Sequence, residues 1–260
     1  MSEIPSVVCE DVLARLSAIE QEHDVRVLFA CEAGSRAWGF ASPDSDYDVR
    51  FIYVHKPQWY FQLGASKDVI EQPPVKGGLD VCGWELRKAL GLLRKGNAAP
   101  FEWLDSPTIY RQDEAFVSRL RDAAAKLHQS APMFHHYINM ARRNYREYLC
   151  GENVRQKKYL YVLRSLLAAL WIEQGRGNPP TPFQRLVDTI VTDGALRDAI
   201  GQLVAAKRKT GEAEYGAPLP VVNGFLEREL SRLEQAPQFA RSPIDFSVLD
   251  DIMFSTVMGK

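Results

Sequence analysis

Three aspartates and a Gly-Ser turn are the residues whose types and spacing suit chemistry. In the stretch from Ala33 to Val49 (AGSRAWGFASPDSDYDV), a β-branched run ends in Gly34-Ser35. Turn formers follow, and Asp46-Tyr47-Asp48 opens a second apolar run. Residues i and i+2 of a strand face the same side, with Cα atoms about 6.6 Å apart. Two carboxylates so placed can converge on one ion or bridge a close pair. Asp80, inside Leu79-Asp80-Val81, offers a third carboxylate on a neighbouring strand. A charged side chain in so apolar a run is costly unless it is paired, and a metal ion would offset that cost.

The chemistry that needs this set is displacement at a phosphorus atom. Magnesium takes oxygen ligands, commonly one or two carboxylates plus substrate phosphates. Two such ions about 3.5–4 Å apart can activate an attacking hydroxyl and stabilise a leaving pyrophosphate. Glycine lets the backbone approach a phosphate closely. The Ser35 hydroxyl and the N–H groups of the next turn can then bind it, and Arg36 adds positive charge. Taken singly, Gly-Ser is an ordinary turn, Asp-x-Asp after Ser-Pro an ordinary cap, and Asp80 an ordinary ion-pair partner. The specific signal is their order along the chain.

The elements that must position them follow from the apolar periodicity. Residues 6–22 carry apolar positions at helical spacing. Strands are predicted at 25–31 and 47–54, and a strand pair at DVIEQ and LDVCGWEL, joined through Gly77-Gly78. A short helix is expected around PQWYFQL and another over 85–95, stopped by Gly96-Asn97. Beyond Pro107 the strand signals stop. Helices are predicted at 114–128, 132–149, 157–174, 195–209, 221–235 and 246–257, with breaks at PPTP, GAPLP and RSP. The expected organisation is therefore a small α/β domain (1–110) followed by an all-helical domain (111–260).

Composition agrees with a globular protein, at 46% hydrophobic and 25% charged residues. Cys9, Cys31, Cys82 and Cys150 form no CxxC pair, so structural zinc is not expected and free thiols are. The N-terminus lacks a signal-peptide pattern, and no run approaches the roughly 20 apolar residues of a membrane helix. The expectation is a cytoplasmic protein with no membrane partner. Net charge is −1, yet residues 1–112 hold 12 basic and 16 acidic side chains, and the remainder 20 and 17. Between Arg142 and Arg164 there are seven basic residues (Arg142, Arg143, Arg146, Arg155, Lys157, Lys158, Arg164) against two acidic ones. A local basic stripe suits phosphates, although solvated helix faces give the same pattern.

GSRAWGFASPDSDYDVRFIYV resembles the signature of the RNA repair pathway DNA polymerase beta family. GLDVCGWELRKALGLLRKGNAAPFEWLDSP and KKYLYVLRSLLAALW resemble further stretches of it, so the likeness spans nearly the whole chain. It implies an α/β (α+β) fold: a polymerase β-type nucleotidyltransferase palm with a small mixed sheet and a helical C-terminal extension. It also implies site roles for Gly34, Ser35, Asp46, Asp48 and Asp80. One departure is Ala98-Ala99-Pro100, where proline is expected directly after Asn97; an altered loop is the expectation there.

The resulting expectation is an enzyme that transfers a nucleoside monophosphate from an NTP to a hydroxyl. It would use two Mg²⁺ or Mn²⁺ ions held by Asp46, Asp48 and Asp80. In the helix from Lys157, the side chains of Lys157, Tyr161 and Arg164 share one face at i, i+4, i+7 spacing, opposite a leucine stripe. With Lys158, these residues are assigned to the nucleotide. Arg142, Arg143 and Arg146 are candidate nucleic-acid contacts, and Trp103 is expected at a domain interface. The open acceptors are an RNA 3′ end, a protein side chain and a small molecule. A non-catalytic nucleotide-sensing or antitoxin-like partner protein is the alternative class, and three converging carboxylates argue against it.

Overall fold

A computed structural model describes residues 4–64, 67–73, 78–209, 215–235, 237–239 and 244–259. Contacts divide the chain into two compact units. The first comprises Met1–Ala37, Asp46–His128 and Pro243–Lys260; the second comprises Trp38–Ser45 and Gln129–Ser242. Gly77 and the RSP break lie outside the described residues.

The first unit is a mixed α/β structure. Its elements are α1 (Ser6–His23), β1 (Val25–Glu32), α2 (Gly34–Trp38, whose last residue belongs to the second unit), β2 (Tyr47–His55), a 3-10 turn (Pro57–Phe61), β3 (Val69–Glu71), β4 (Leu79–Glu85), α3 (Leu86–Arg94), α4 (Ala98–Leu104), β5 (Ile109–Gln112), α5 (Glu114–Lys126) and, near the chain end, α11 (Ser247–Met258). The five strands form one sheet in the order β3-β4-β2-β1-β5. The β2–β4 pair is parallel and the others antiparallel.

The alternation of β2 and β4 fixes which residues reach the site. Val49, Phe51 and Tyr53 of β2, with Leu79 and Val81 of β4, join Val12, Leu16 and Ile19 of α1 in one core cluster. Asp48 and Arg50, and likewise Asp80 and Cys82, are out of phase with those positions and so project from the opposite face. In β1 both Val27 and Ala30 belong to the α1 cluster, an odd separation that a regular strand would not allow. A bulge between Val27 and Phe29 accounts for it. α3 and α11 pack against β2, and α4 and α5 against β1.

Four expectations change here. Strand signals do not end at Pro107, because Ile109–Gln112 forms an edge strand on β1. Ala98-Ala99-Pro100 is no loop: Asn97 caps the Ala99 amide through Oδ1 at 2.9 Å and α4 begins. Pro100 falls in the first turn, where a missing N–H costs little. The contacts do not divide the chain at residue 110, since α5 and α11 pack on each other and α5 on β1. Trp103 belongs to no domain interface either; it is buried within the first unit and stacks on Trp84 with ring centroids 3.9 Å apart.

The second unit holds α6 (Ser130–Tyr148), β6 (Val154–Arg155), α7 (Lys157–Glu173), α8 (Phe183–Ile190), α9 (Gly194–Lys209), β7 (Tyr215–Gly216) and α10 (Pro220–Arg232). It is helical apart from the two-residue pair β6–β7. Helix α7 is not amphipathic as expected. Every residue from Val162 to Leu170 is buried, and α6, α8, α9 and α10 all pack against it. A helix apolar on nearly all sides is a central helix. Among the described residues, no helix is long and apolar enough to cross a membrane.

Candidate active site

The parallel register pairs Asp48 with Asp80, and the Tyr47 amide donates to Gly78 O at 2.6 Å. Asp46 stands just before β2 at this same end. Two glycines make room for the carboxylates. A Cβ on Gly34 would overlap Asp48 Oδ2, and one on Gly78 would stand 2.5 Å from Asp46 Oδ1. Both glycines have positive φ (+57° and +71°), which other residues rarely adopt.

Between Asp48 and Asp80 lies a side chain that sequence reasoning missed. Arg50 Nη2 donates to Asp80 Oδ2 at 2.7 Å and to Asp48 Oδ1 at 3.2 Å, while Nη1 donates to the carbonyls of Val49 and Asp80, each at 3.1 Å. The available signal was its position, i+2 from Asp48 on the same strand face. Burial raises the Asp48 pKa; Arg50 opposes that shift, and the charges of Asp80 and Asp46 add to it. Burial works against the Arg50 charge, yet its bond to Asp80 and the Asp48 charge hold its pKa above the ordinary value.

Glu32, at the end of β1, was also missed and is fully buried. Its Oε1 accepts the Asp48 amide at 3.0 Å and its Oε2 the Tyr110 hydroxyl at 2.5 Å. The Glu32 carbonyl accepts the Ser106 hydroxyl, also at 2.5 Å. Burial lifts the Glu32 pKa to about 7, against the two hydrogen bonds that favour its charge. The Ala33 amide donates to Asp48 O at 2.8 Å. The Gly-Ser turn is thus tied to the second aspartate from both sides. Ser35 is buried within α2. Arg36 Nε donates to Asp46 O at 3.1 Å, and its guanidinium lies 3.7 Å from the Tyr47 ring centroid.

The donor set near the turn is all carboxylate, which suits a hard cation such as magnesium. Among the described residues no three His, Cys, Asp or Glu side chains are gathered into a metal cage. Two of the three aspartates meet, and the cation on them is the Arg50 guanidinium.

In the second unit, Arg164 is 3% exposed and its guanidinium lies 4.4 Å from the Trp38 ring centroid. The expected solvent-facing role for it does not fit that burial. Tyr161 is half-buried and meets Trp38 and Phe40 edge-on. Lys158 Nζ lies 4.5 Å from the Tyr148 ring centroid and 5.0 Å from that of Tyr161, and Lys157 is half-buried beside it. Lys207 of α9, which sequence reasoning missed, is buried with Nζ 4.8 Å from the centroids of both Phe40 and Tyr161. Arg142 caps the end of α10 through the Leu233 carbonyl at 2.6 Å, so one of the three candidate nucleic-acid arginines has a structural task. Arg143 and Arg146 are exposed.

Residues 8–255 match the model of the RNA repair pathway DNA polymerase beta family. The chain belongs to that family. It is also 43% identical over 225 residues to the uncharacterized protein YcgL of Bacillus subtilis (strain 168), with 86% of each chain covered. Membership in a polymerase beta-like repair family points to nucleotidyltransferase chemistry. The carboxylate end of the β2–β4 pair is where this family member carries its acidic cluster.

Proposed function

We propose that this family member is a metal-dependent nucleotidyltransferase moving NMP from an NTP to an acceptor hydroxyl, with pyrophosphate released. The carrying observation is the Asp48–Asp80 register pair, with Asp46 two residues before Asp48 and Gly34 packed against the Asp48 carboxylate. Asp46 and Asp48 would hold two Mg²⁺ or Mn²⁺ ions. Asp80 would share the catalytic one and accept or orient the acceptor proton. The bound ions would supply charge stabilisation on the reacting phosphate and on the leaving pyrophosphate. Gly34 gives the triphosphate backbone access, Ser35 offers a hydroxyl donor, and Arg36 brings positive charge to the same turn. No separate nucleophilic side chain is required, because such transfer relies mainly on positioning and charge.

The second unit offers its own surface for a nucleotide or a phosphate chain. Lys157, Lys158 and Tyr161 are its accessible members, and the buried Arg164 fixes the Trp38 ring. The family's repair context favours an RNA 3′ end as acceptor, with Arg143 and Arg146 as backbone contacts.

Incubating the protein with each α-labelled NTP and a mixture of RNA and protein extract, then locating the label, tests both the activity and the acceptor. Label on RNA 3′ ends supports the full reading. Label on protein leaves the chemistry and replaces the acceptor. No incorporation from any NTP with Mg²⁺ or Mn²⁺ contradicts the proposal.

A further inference from the structure

Resting on the reading that Asp46, Asp48 and Asp80 hold divalent ions, we propose that Arg50 is a resident counter-cation on the Asp48–Asp80 pair that an incoming metal must displace. One nitrogen of Arg50 lies 2.7 Å from Asp80 Oδ2 and 3.2 Å from Asp48 Oδ1. That nitrogen therefore takes the position of an ion shared by the two carboxylates. A magnesium ion needs its oxygens at about 2.0–2.1 Å, closer than either Arg50 contact, so the two cations cannot use these same oxygens together.

The guanidinium is also built to yield. Its other nitrogen is held by the Val49 and Asp80 carbonyls at 3.1 Å each, contacts that do not involve either carboxylate. Arg50 can thus release the carboxylates and stay anchored. In the absence of metal it lowers the local charge of Asp46, Asp48 and Asp80 from −3 to −2, which limits repulsion in a partly buried site. The same contact sets a threshold: metal binding must replace a charge-assisted hydrogen bond on each carboxylate. A side chain that merely oriented the two aspartates would act in the opposite sense, because its removal would weaken metal binding.

The experiment is an equilibrium Mn²⁺ titration of the nucleotide-free full chain, with free Mn²⁺ read by electron paramagnetic resonance. It uses the parent, Arg50→Met, Arg50→Lys and Asp48→Asn. Arg50→Met should bind Mn²⁺ roughly tenfold more tightly than the parent, the worth of about one charge-assisted hydrogen bond. Metal-free, it should melt below the parent, and saturating Mn²⁺ should recover the difference. Arg50→Lys keeps the charge but lacks the fork that bridges both carboxylates. It should fall between the two and carries the test if Arg50→Met does not fold without metal. Equal or weaker Mn²⁺ affinity in the Arg50 variants, with parent binding that Asp48→Asn abolishes, overturns the displacement idea and leaves the metal reading standing. Parent binding insensitive to Asp48→Asn overturns the metal reading and this inference with it.

Discussion

Asp80 lies directly across from Asp48 in the parallel β2–β4 ladder, and a single Arg50 nitrogen bridges their carboxylates. The pairing comes from backbone register, so the meeting of the two side chains does not depend on a flexible loop. It also means that the two aspartates can be altered separately without changing the strands that present them.

Replacing either member should therefore silence transfer while sparing the fold. Asp48→Asn and Asp80→Asn are each expected to lower turnover by at least roughly a thousandfold, on the scale of losing central charge stabilisation. Metal-free stability should change by no more than about 1 kcal/mol, since the Arg50 pairs are partly exposed and the remaining aspartate keeps Arg50 engaged. Steady-state rates and urea melts check both halves. A fully active Asp80→Asn would remove Asp80 from the catalytic set.

Gly34 tests the turn. Gly34→Ala forces a side chain into positive φ and onto Asp48 Oδ2, so both strain and displacement of the carboxylate are expected. The stability cost should be about 1–3 kcal/mol, and activity should fall further than that loss of folded protein explains. Gly39, also at positive φ but with nothing near its Cβ position, is the control. Gly39→Ala should show the strain cost without an effect on metal binding.

Much of this site could be read from the sequence, and the exceptions have physical causes. The strands holding Asp48 and Asp80 stand out because β-branched and aromatic residues alternate with polar ones. Glu32 and Arg50 were invisible because their importance lies in register: only pairing shows that Glu32 receives the Asp48 amide and that Arg50 faces Asp80. The β5 strand Ile-Tyr-Arg-Gln is short and half polar, so its pairing with β1 is a tertiary effect rather than a propensity. Pro100 reads as a breaker, and only the Asn97 cap turns it into a first-turn residue. Helix α7 looks two-sided from Lys157, Tyr161 and Arg164, but four helices packed around it bury the arginine. Helix α8, only eight residues after a proline-rich break, lacked a long enough period to register.

Glu32 supplies a pH signature. Its folded pKa is about 7, against an ordinary value of 4.5, so the folded state binds the extra proton between those pH values. Stability of metal-free protein should fall as pH rises from about 4.5 to about 7 and then level off. Glu32→Gln, which keeps an oxygen acceptor for the Asp48 amide, should flatten that slope. Chemical melts in EDTA across this range decide it. An unchanged slope in the variant would assign the pH dependence elsewhere.

For the acceptor, the double variant Arg143→Glu, Arg146→Glu is preferable to any change at Arg142, which caps α10. If RNA runs along these exposed arginines, two lost phosphate contacts should flatten the log–log salt dependence of binding by about 1.4. A parent protein with no measurable affinity for short RNA at low salt would exclude this path.

The central claim, metal-dependent NMP transfer at the Asp46–Asp48–Asp80 cluster, is tested most directly by pyrophosphate release. The parent and Asp80→Asn would each be supplied with the four NTPs, acceptor RNA and either Mg²⁺ or EDTA. The account predicts release by the parent with at least one NTP, dependent on Mg²⁺ and absent in Asp80→Asn. Release that persists in EDTA, or that Asp80→Asn retains at the parent rate, would contradict it.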